Sequence, residues 1–355
     1  MGQATPGEPG SASIPAMSSS GRPRRATIRD VALEAGVSRG TVSRVFNGEP
    51  YVSAEARDAI ERAVAKVGYV PNTAARNLAL RRAQAIGFIV HEPHAVFLED
   101  PNIGAILLGA NGVLSAADFQ MVSLVIDSDR DGDRVARYLR GGFVDGAVVV
   151  SARQDDSLLS TIARLRLPAT VVGRPPEDLG VAWVGIDNRG AARAVTAHLV
   201  TTGRRRIGMV AAALDRDSGS DRLAGFRDAL GDRFDPALVV DRPLYEYSGG
   251  RDAMEELLRK APDVDGVFAA SDAVAAGALD ALRAAGRRVP EDVGIVGFDD
   301  SSWARRTDPQ LTTVHQPARL LGERAAESVL TQIRGGTAEA LGTLLETHVV
   351  ARGSA

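Results

Sequence analysis

Polar side chains that could contact DNA are concentrated in residues 38–46. On a helix of this segment the apolar residues would form one face, and the opposite face would carry Arg39, Thr41, Ser43 and Arg44. Arginine can donate two parallel hydrogen bonds to guanine, and hydroxyl groups can bind phosphate oxygens. The segment is therefore a candidate DNA reader, although the same pattern is found in helical hairpins packed into a larger core.

Short helices on either side of this segment would position it. Residues 28–35 have apolar residues at helical spacing, with Thr27 as the N-cap and Gly36 as the left-handed residue that ends the helix. Ser38 caps the second helix, and a third amphipathic helix follows within residues 53–68. Two short helices joined by a glycine turn, with a third packed against them, predict a helix-turn-helix whose second helix enters the major groove.

Charge is distributed unevenly along the chain. Between residues 22 and 82 there are twelve Lys and Arg against six Asp and Glu, a surplus of +6, so the other residues carry −9 for a net charge of −3. A small basic head on an acidic body indicates that only the head meets a polyanion. Chance clustering of surface arginines would give the same count.

The composition excludes several classes of protein. No apolar run approaches the roughly 18 residues that a membrane helix needs. The chain has no cysteine, which excludes disulfides and thiolate metal sites, and its five histidines show no metal-ligand spacing. Residues 1–25 are rich in Gly, Ser and Pro and lack the apolar centre of a secretory signal. We therefore expect a disordered arm on a cytoplasmic protein that uses no metal and no cofactor.

From residue 85 onward, apolar runs typical of strands alternate with helical patterns. The predicted strands are residues 85–90, 120–126, 146–150, 169–173, 206–211, 265–270 and 292–298. The clearest helical patterns are residues 188–200, 222–230, 249–260 and 273–286. This alternation predicts parallel sheets with helices on both faces, and the length suits two sheets.

An α/β enzyme is the competing interpretation of this part of the chain. However, no G-x-G-x-x-G follows the first predicted strand, and no phosphate-binding G-x-x-x-x-G-K-[ST] occurs anywhere. The sequence also contains no identifiable pair of nucleophile and base. We expect no enzymatic activity.

Four consecutive segments, TIRDVALEAGVS, TVSRVFN, VSAEAR and GYVPNTAARNLA, together resemble the DNA-binding head and hinge of the LacI family of bacterial transcription regulators. The rest of the chain resembles the sensor of that family, which is similar to periplasmic sugar-binding proteins. The resemblance implies an all-α helix-turn-helix head with a hinge helix, followed by a two-lobed α/β sensor with parallel sheets. The implied divisions are an arm over residues 1–25, a head over 26–70, a hinge over 71–82 and a sensor over 83–355.

The resemblance also implies partners and a mechanism. It implies a homodimer, without a membrane partner, that binds a pseudo-palindromic operator in double-stranded DNA and a small-molecule effector, commonly a sugar. No leucine heptads follow the last strand, so we expect a dimer rather than a tetramer. Repression of carbohydrate genes is the expected activity, and the protein would be associated with the nucleoid. The alternative is a sugar sensor whose DNA-binding head is weak or vestigial.

Roles in DNA binding follow from the resemblance residue by residue. Arg39, Gly40 and Arg44 would lie nearest the base edges, although Gly40 departs from the family pattern because a side chain there usually helps to read sequence. Contacts to the phosphate backbone are expected from Ser38, Thr41, Ser43 and Asn47. The full set of expected DNA contacts also includes Thr27 and, in the hinge, Asn72, Ala75, Leu78 and Ala79.

The hinge carries one residue with a distinct expected role. Pro71 stops a continuous helix, and Asn72 can cap a short new one over residues 73–80. In the family, such a helix folds on DNA, and the leucine matched by Leu78 wedges into the central base step. The alternative for Leu78 is packing against the body.

Roles in effector binding follow in the same way. Arg222 matches the arginine that hydrogen-bonds the effector, and Asp299 matches an acidic contact that follows a strand. The other residues expected at the cleft are Ser271, Asp272, Tyr245 and Gln316. Each has a structural alternative, such as a salt bridge for Arg222, a turn for Asp299 and a helix cap for Asp272.

One departure from the family concerns aromatic stacking on the effector. Where the family often has an aromatic pair, this chain has Asn102 and Ile103, which offer a hydrogen bond and an apolar wall. Phe97 could replace the missing ring or pack in the core.

Overall fold

The computed structural model describes residues 2, 26–46, 49, 51–69, 83–154, 157–175, 179–336 and 341–355. The chain divides into two compact units between residues 76 and 77.

The first unit is a three-helix head. Its helices are α1 (Ile28–Glu34), α2 (Arg39–Phe46) and α3 (Ala54–Val67). Thr27 caps α1, Ser53 caps α3 by accepting a hydrogen bond from the Ala56 N–H, and Gly68 ends α3 with a φ of 63°. A positive φ is the left-handed conformation that glycine adopts without strain. The three predicted helices are confirmed.

The head is stabilised by apolar residues that its three helices share. Val31 and Ala32 from α1, Val42 from α2, and Ile60 and Ala63 from α3 form its buried core. Helices of seven and eight residues are too short to be stable alone. Their stability therefore depends on this shared core.

The second unit contains two parallel sheets. Its strands are β1 (Ala85–Val90), β2 (Gln120–Val125), β3 (Gly146–Val150), β4 (Ala169–Val172), β5 (Ala182–Ile186), β6 (Ile207–Ala212), β7 (Val239–Arg242), β8 (Gly266–Ala269), β9 (Gly294–Val296), β10 (Thr313–His315), β11 (Gly342–Leu345) and β12 (His348–Val350). One sheet has the order β11-β5-β4-β3-β1-β2 and the other β7-β6-β8-β9. A short antiparallel pair, β10 and β12, joins the second sheet through bridges at Thr312 and His315.

Helices cover both sheets. They are α4 (His94–Glu99), α5 (Pro101–Ala116), α6 (Asp129–Arg140), α7 (Ser157–Leu165), α8 (Asn188–Thr201), α9 (Asp217–Leu230), α10 (Tyr247–Lys260), α11 (Asp272–Ala284), α12 (Ser302–Arg306) and α13 (Ala318–Ile333), with short 3-10 turns at Gly231–Arg233 and Pro236–Leu238. Among the described residues, no helix is long and apolar enough to cross a membrane.

The chain passes between the two sheets at three places. It leaves the first sheet after β5 and enters α8, it returns from β10 to α13, and it passes from β11 to β12. Each sheet with its helices is therefore a lobe, and both lobes are built from discontinuous segments. This arrangement confirms the prediction of two α/β lobes with parallel sheets.

All seven predicted strands occur, and the four predicted helices become α8, α9, α10 and α11. The strands that the pattern did not predict are β5, β7, β10, β11 and β12. These five strands are three to five residues long. The predicted strands β3, β4, β8 and β9 are equally short but buried along almost their whole length. In contrast, β7, β11 and β12 are partly exposed and mix polar with apolar residues, so they lack the continuous apolar run that predicts a buried strand.

Candidate functional site

A cleft lies between the two lobes, and residues of both lobes line it. Its walls include residues that follow the carboxyl ends of β1, β3, β4, β5, β6, β7 and β9. The first lobe contributes Glu92, Asp100, Asn102, Ile103, Ile106, Val150, Ser151, Val172, Gly173, Gly185, Ile186 and Leu321. The second lobe, together with the segment that connects β10 to α13, contributes Asn188, Arg216, Asp217, Ser218, Arg222, Tyr245, Asp299 and Gln316.

Arg222, on α9, is fixed in the cleft wall and is only 4% exposed. Its Nε donates to Oδ1 of Asn188 at 3.0 Å, and its Nη1 donates to the carbonyl oxygen of Ala270 at 2.6 Å. Its Nη2 lies 3.5 Å from Oδ1 of Asp299. The guanidinium is therefore held in one orientation, which suits recognition of adjacent hydroxyl groups.

Asp299 follows β9 and has a φ of 117°, an uncommon conformation for a residue with a side chain. Such backbone strain is often found at functional sites. Burial raises the pKa of Asp299 well above its usual range, and the carboxylates of Asp272 and Asp100 add to that shift. The guanidinium of Arg222 acts in the opposite direction. The Asp299 carboxyl group thus lies where hydrogen-bonding groups converge.

Asp100 and Asn102 form the opposite wall of this part of the cleft. Asp100 is the N-cap of α5, and its Oδ1 accepts a hydrogen bond from the Asn102 N–H at 2.8 Å. Burial raises the pKa of Asp100 to about 6. The Asn102 side chain lowers the pKa of Asp299, so the first lobe acts on the same carboxyl group that Arg222 approaches from the second.

A second pair of charges links the lobes. Glu92 follows β1 in the first lobe, Arg216 precedes α9 in the second, and they are 2% and 3% exposed. The guanidinium donates two hydrogen bonds to the carboxylate, from Nη1 to Oε1 and from Nη2 to Oε2, the latter at 3.0 Å. A bidentate pair of this kind is among the strongest charge-assisted contacts in proteins.

Six of the eight predicted effector residues line the cleft: Asn102, Ile103, Arg222, Tyr245, Asp299 and Gln316. The Tyr245 hydroxyl lies 3.0 Å from Oγ of Ser218, and its ring faces the Arg222 guanidinium at 5.5 Å. Phe97 packs against the core of the sensor. The salt bridge proposed as the alternative role of Arg222 also occurs, because its Nη2 lies 3.5 Å from Oδ1 of Asp299.

Ser271 and Asp272 are not among the residues that line the cleft, and their contact with the effector stays a prediction. Ser271 caps α11, and its Oγ accepts from the Val274 N–H at 3.2 Å. Asp272 turns inward, where it accepts hydrogen bonds from the Thr313 hydroxyl at 2.6 Å and the Ser301 N–H at 2.7 Å. Burial raises the pKa of Asp272 to about 7.

Sequence reasoning missed several polar residues of the cleft: Glu92, Asp100, Asn188, Arg216, Asp217 and Ser218. Most of them lie within a few positions of the carboxyl end of a parallel strand. Because ligands of α/β folds bind at those ends, inspecting every such position would have found them. Asn188 was missed because β5, the strand before it, was not predicted. Among the described residues, no group of three or more His, Asp or Glu residues could hold a metal ion.

The head exposes part of the predicted DNA-binding surface. Arg39, Gly40 and Arg44 of α2 are exposed. A Cβ added to Gly40 would meet only Oγ of Ser38, at 3.6 Å, so the missing side chain leaves open space.

Other predicted DNA contacts hold the ends of the helices. Ser38 accepts a hydrogen bond from the Thr41 N–H at 3.1 Å, and Thr27 bonds Asp30 through its N–H and its hydroxyl, each at 2.8 Å. Ser43 is partly exposed. The expected contacts that lie outside the described residues are Asn47, Asn72, Ala75, Leu78 and Ala79.

Models of two protein families match the chain. Residues 27–72 match the family described as bacterial regulatory proteins, lacI family, and residues 196–355 match the periplasmic binding protein-like domain. A curated relative, the HTH-type transcriptional regulator CelR of Thermobifida fusca, is 43% identical over 339 residues, covering 94% of this chain and 99% of CelR.

Solved structures of transcription regulators are also similar to this chain. The structure of a CelR–cellobiose complex is 41% identical, covers 93% of this chain and 100% of its own, and has a TM-score of 0.74. The lac repressor dimer bound to operator and the anti-inducer ONPF is 26% identical, covers 93% and 99% of the two chains, and has a TM-score of 0.83.

The helix-turn-helix head and the two-lobed sensor with its cleft define a DNA-binding transcription regulator. The chain belongs to the LacI family of bacterial regulatory proteins. That membership decides between the two interpretations of the α/β part, because the family consists of regulators rather than enzymes.

Proposed function

We propose that this protein binds a pseudo-palindromic operator as a homodimer, represses genes of carbohydrate metabolism and responds to a sugar in the inter-lobe cleft. The observation that carries the proposal is the buried Arg222, held against Asp299 where residues of both lobes converge. Cellobiose is the first effector to test, since it is the ligand in the complex of the relative CelR. Action on an operator places the protein in the cytoplasm, at the nucleoid.

The chemistry of the cleft supports a polyhydroxylated effector. Sugar hydroxyls both donate and accept hydrogen bonds, and the wall offers a guanidinium on Arg222, a carboxyl on Asp299 and an amide on Asn102. Tyr245 and Ile103 supply aromatic and apolar surface against which a pyranose ring can pack.

Regulation follows from the coupling between the two sites. A sugar that contacts both lobes stabilises one arrangement of the lobes over others. Operator affinity then changes by the same factor by which operator DNA changes sugar affinity, because coupling free energy is reciprocal. In the family pattern, the hinge that contains Leu78 carries this change to the head.

The effector is tested by isothermal titration calorimetry of the full-length chain with cellobiose, glucose and maltose. We expect saturable binding of cellobiose, and release of bound operator at the same concentrations. Failure of every sugar to bind would contradict a sugar effector.

DNA binding is tested by selection from a random duplex library, followed by a salt titration of the enriched site. We expect an approximate palindrome, and loss of one base-reading arginine should cost about 1–3 kcal/mol of specific binding. Arg44→Ala is therefore compared with Arg62→Ala, which removes the same charge from an exposed position on α3. Leu78→Ala tests the hinge, and loss of affinity for the enriched site is the expected result.

A sugar sensor with weak DNA binding is the second candidate, because Gly40 leaves open space on the recognition helix. The same selection decides between the candidates. Enrichment of a palindrome that depends on Arg44 supports the repressor. Salt-sensitive binding without enrichment, together with retained sugar binding, supports the sensor.

A further inference from the structure

The charged side chains that line the cleft are unequal in number. The acidic residues are Glu92, Asp100, Asp217 and Asp299, whereas the basic residues in the described wall are Arg216 and Arg222. If Asp299 carries a proton, acidic groups still outnumber arginines by three to two. An anion that enters the cleft therefore meets a surplus of negative charge.

Both arginines already have a carboxyl partner. Glu92 accepts two hydrogen bonds from Arg216, and Asp299 lies 3.5 Å from Nη2 of Arg222. Arg222 also donates one hydrogen bond from Nε to Asn188 and one from Nη1 to the carbonyl oxygen of Ala270. A phosphate or carboxylate would therefore have to compete with a buried carboxyl group for either guanidinium.

The other two carboxylates of the wall are held by backbone groups. Asp100 accepts from the Asn102 N–H at 2.8 Å, and Asp217 accepts from the Arg174 N–H at 2.7 Å. Their charges add to the negative field of the cleft. At short range in a partly desolvated site, like charges repel strongly.

We infer that the cleft selects an uncharged polyhydroxylated effector over its phosphorylated or carboxylated forms, and that Glu92 enforces this choice by occupying Arg216. The inference rests on the proposed sugar response of the same cleft. It goes further by defining the charge of the effector and by naming a residue that determines specificity.

The test uses two disaccharides that differ at one carbon. They are cellobiose and cellobiouronic acid, in which the C6 hydroxymethyl group of the non-reducing ring is oxidised to a carboxylate. Calorimetry of the full-length wild-type chain at neutral pH should show cellobiose binding at least about tenfold more tightly, since the carboxylate finds no unpaired guanidinium.

Glu92→Gln should change the ratio of the affinity for cellobiose to the affinity for cellobiouronic acid. The substitution removes one negative charge and releases Arg216 to pair with the ligand carboxylate, so the preference for cellobiose should fall about tenfold or invert. Asp100→Asn removes a charge from the same wall without breaking the Arg216 pair. It should also reduce the preference, and it serves as the test if Glu92→Gln does not fold.

Two controls isolate the mechanism. Asp221→Asn removes the same charge from the residue that pairs with Arg174 at 2.6 Å outside the cleft wall, and it should leave the ratio unchanged. The double variant Glu92→Met with Arg216→Met removes both charges, so the net charge of the wall is preserved and the acid should still be rejected. Circular dichroism confirms that each variant is folded.

The possible failures are distinguishable. If the wild type binds cellobiouronic acid as tightly as cellobiose, or if folded Glu92→Gln and Asp100→Asn keep the wild-type ratio, the charge-based selection is wrong while sugar binding stands. If neither disaccharide binds the wild type, the proposed effector class itself fails, and this inference fails with it.

Discussion

The guanidinium of Arg222 lies over the ring of Phe298, with its central carbon 3.6 Å from the ring centroid. Phe298 is fully buried and immediately precedes Asp299, the carboxyl group that Arg222 approaches at 3.5 Å. One segment after β9 therefore supplies both the surface on which the arginine stacks and its charge partner. Stacking and hydrogen bonds fix the arginine before any ligand arrives, which lowers the entropic cost of binding.

This geometry predicts the effect of Arg222→Lys. A lysine ammonium lacks the planar fork, so it does not reproduce the bonds to Asn188 and Ala270 or the stacking on Phe298. We expect cellobiose affinity to fall by about tenfold or more, as measured by calorimetry, while the chain still binds operator.

Arg189→Lys is the matched control for that variant. Arg189 also makes a bidentate pair, with Asp228 at 2.6 and 3.0 Å, but on an exposed face of the second lobe. The sugar affinity of the Arg189→Lys variant should equal that of the wild type. Equal losses in both variants would show that the loss in Arg222→Lys is unrelated to the cleft.

Ser271→Ala tests whether that residue contacts the effector or only caps α11. Because the Ser271 side chain caps α11, its loss should lower the free energy of unfolding by about 1 kcal/mol in urea titrations. Sugar affinity should stay within about twofold of the wild type, since no contact between this residue and the ligand is lost. A large loss of sugar affinity with unchanged stability would instead support contact between Ser271 and the effector.

Stability should depend on pH through buried carboxyl groups. Burial raises the pKa of Asp272 to about 7 and that of Asp100 to about 6, above the ordinary value of about 3.9. At a pH between the ordinary pKa and the raised pKa of such a group, the folded chain binds more protons than the unfolded chain. These two groups therefore make the free energy of unfolding rise as pH falls from about 7 to about 5.

The measurement is a comparison between variants, so that contributions shared by all of them cancel. Urea titrations at about pH 7 and pH 5.5 should show a smaller rise for Asp272→Asn than for the wild type. The control is Asp292→Asn, because hydrogen bonds from Arg288 lower the pKa of Asp292 and move its titration below this window. If the free energy of unfolding of Asp272→Asn rises as much as that of the wild type, the raised pKa of Asp272 is contradicted.

Gly40→Ala should stabilise the head. Glycine within a helix costs about 1 kcal/mol relative to alanine, and the added Cβ meets only Oγ of Ser38 at 3.6 Å. Slower hydrogen exchange of amides in residues 28–67 of the full chain is the expected result. Gly36→Ala is the opposite case, because Gly36 has a φ of 65° and alanine there is strained, so exchange should be faster.

Local spacing determined much of this protein. Apolar periodicity, with capping residues such as Thr27 and Ser53, predicted the helices of the head, and continuous apolar runs predicted the buried strands. These features depend on residues within a few positions of each other, so they can be derived from the sequence. The position of Asp299 just after such a strand also placed it correctly at the cleft.

The tertiary structure decided which polar side chains meet. Glu92 and Arg216 are 124 residues apart, and only the order of strands in two sheets and the crossings between the lobes bring them together. Asp272 and Asp299 both follow strands of the second sheet, yet Asp272 turns toward Thr313 while Asp299 lines the cleft. The direction of a side chain after a strand depends on the loop conformation and on partners distant in sequence, and local spacing contains neither.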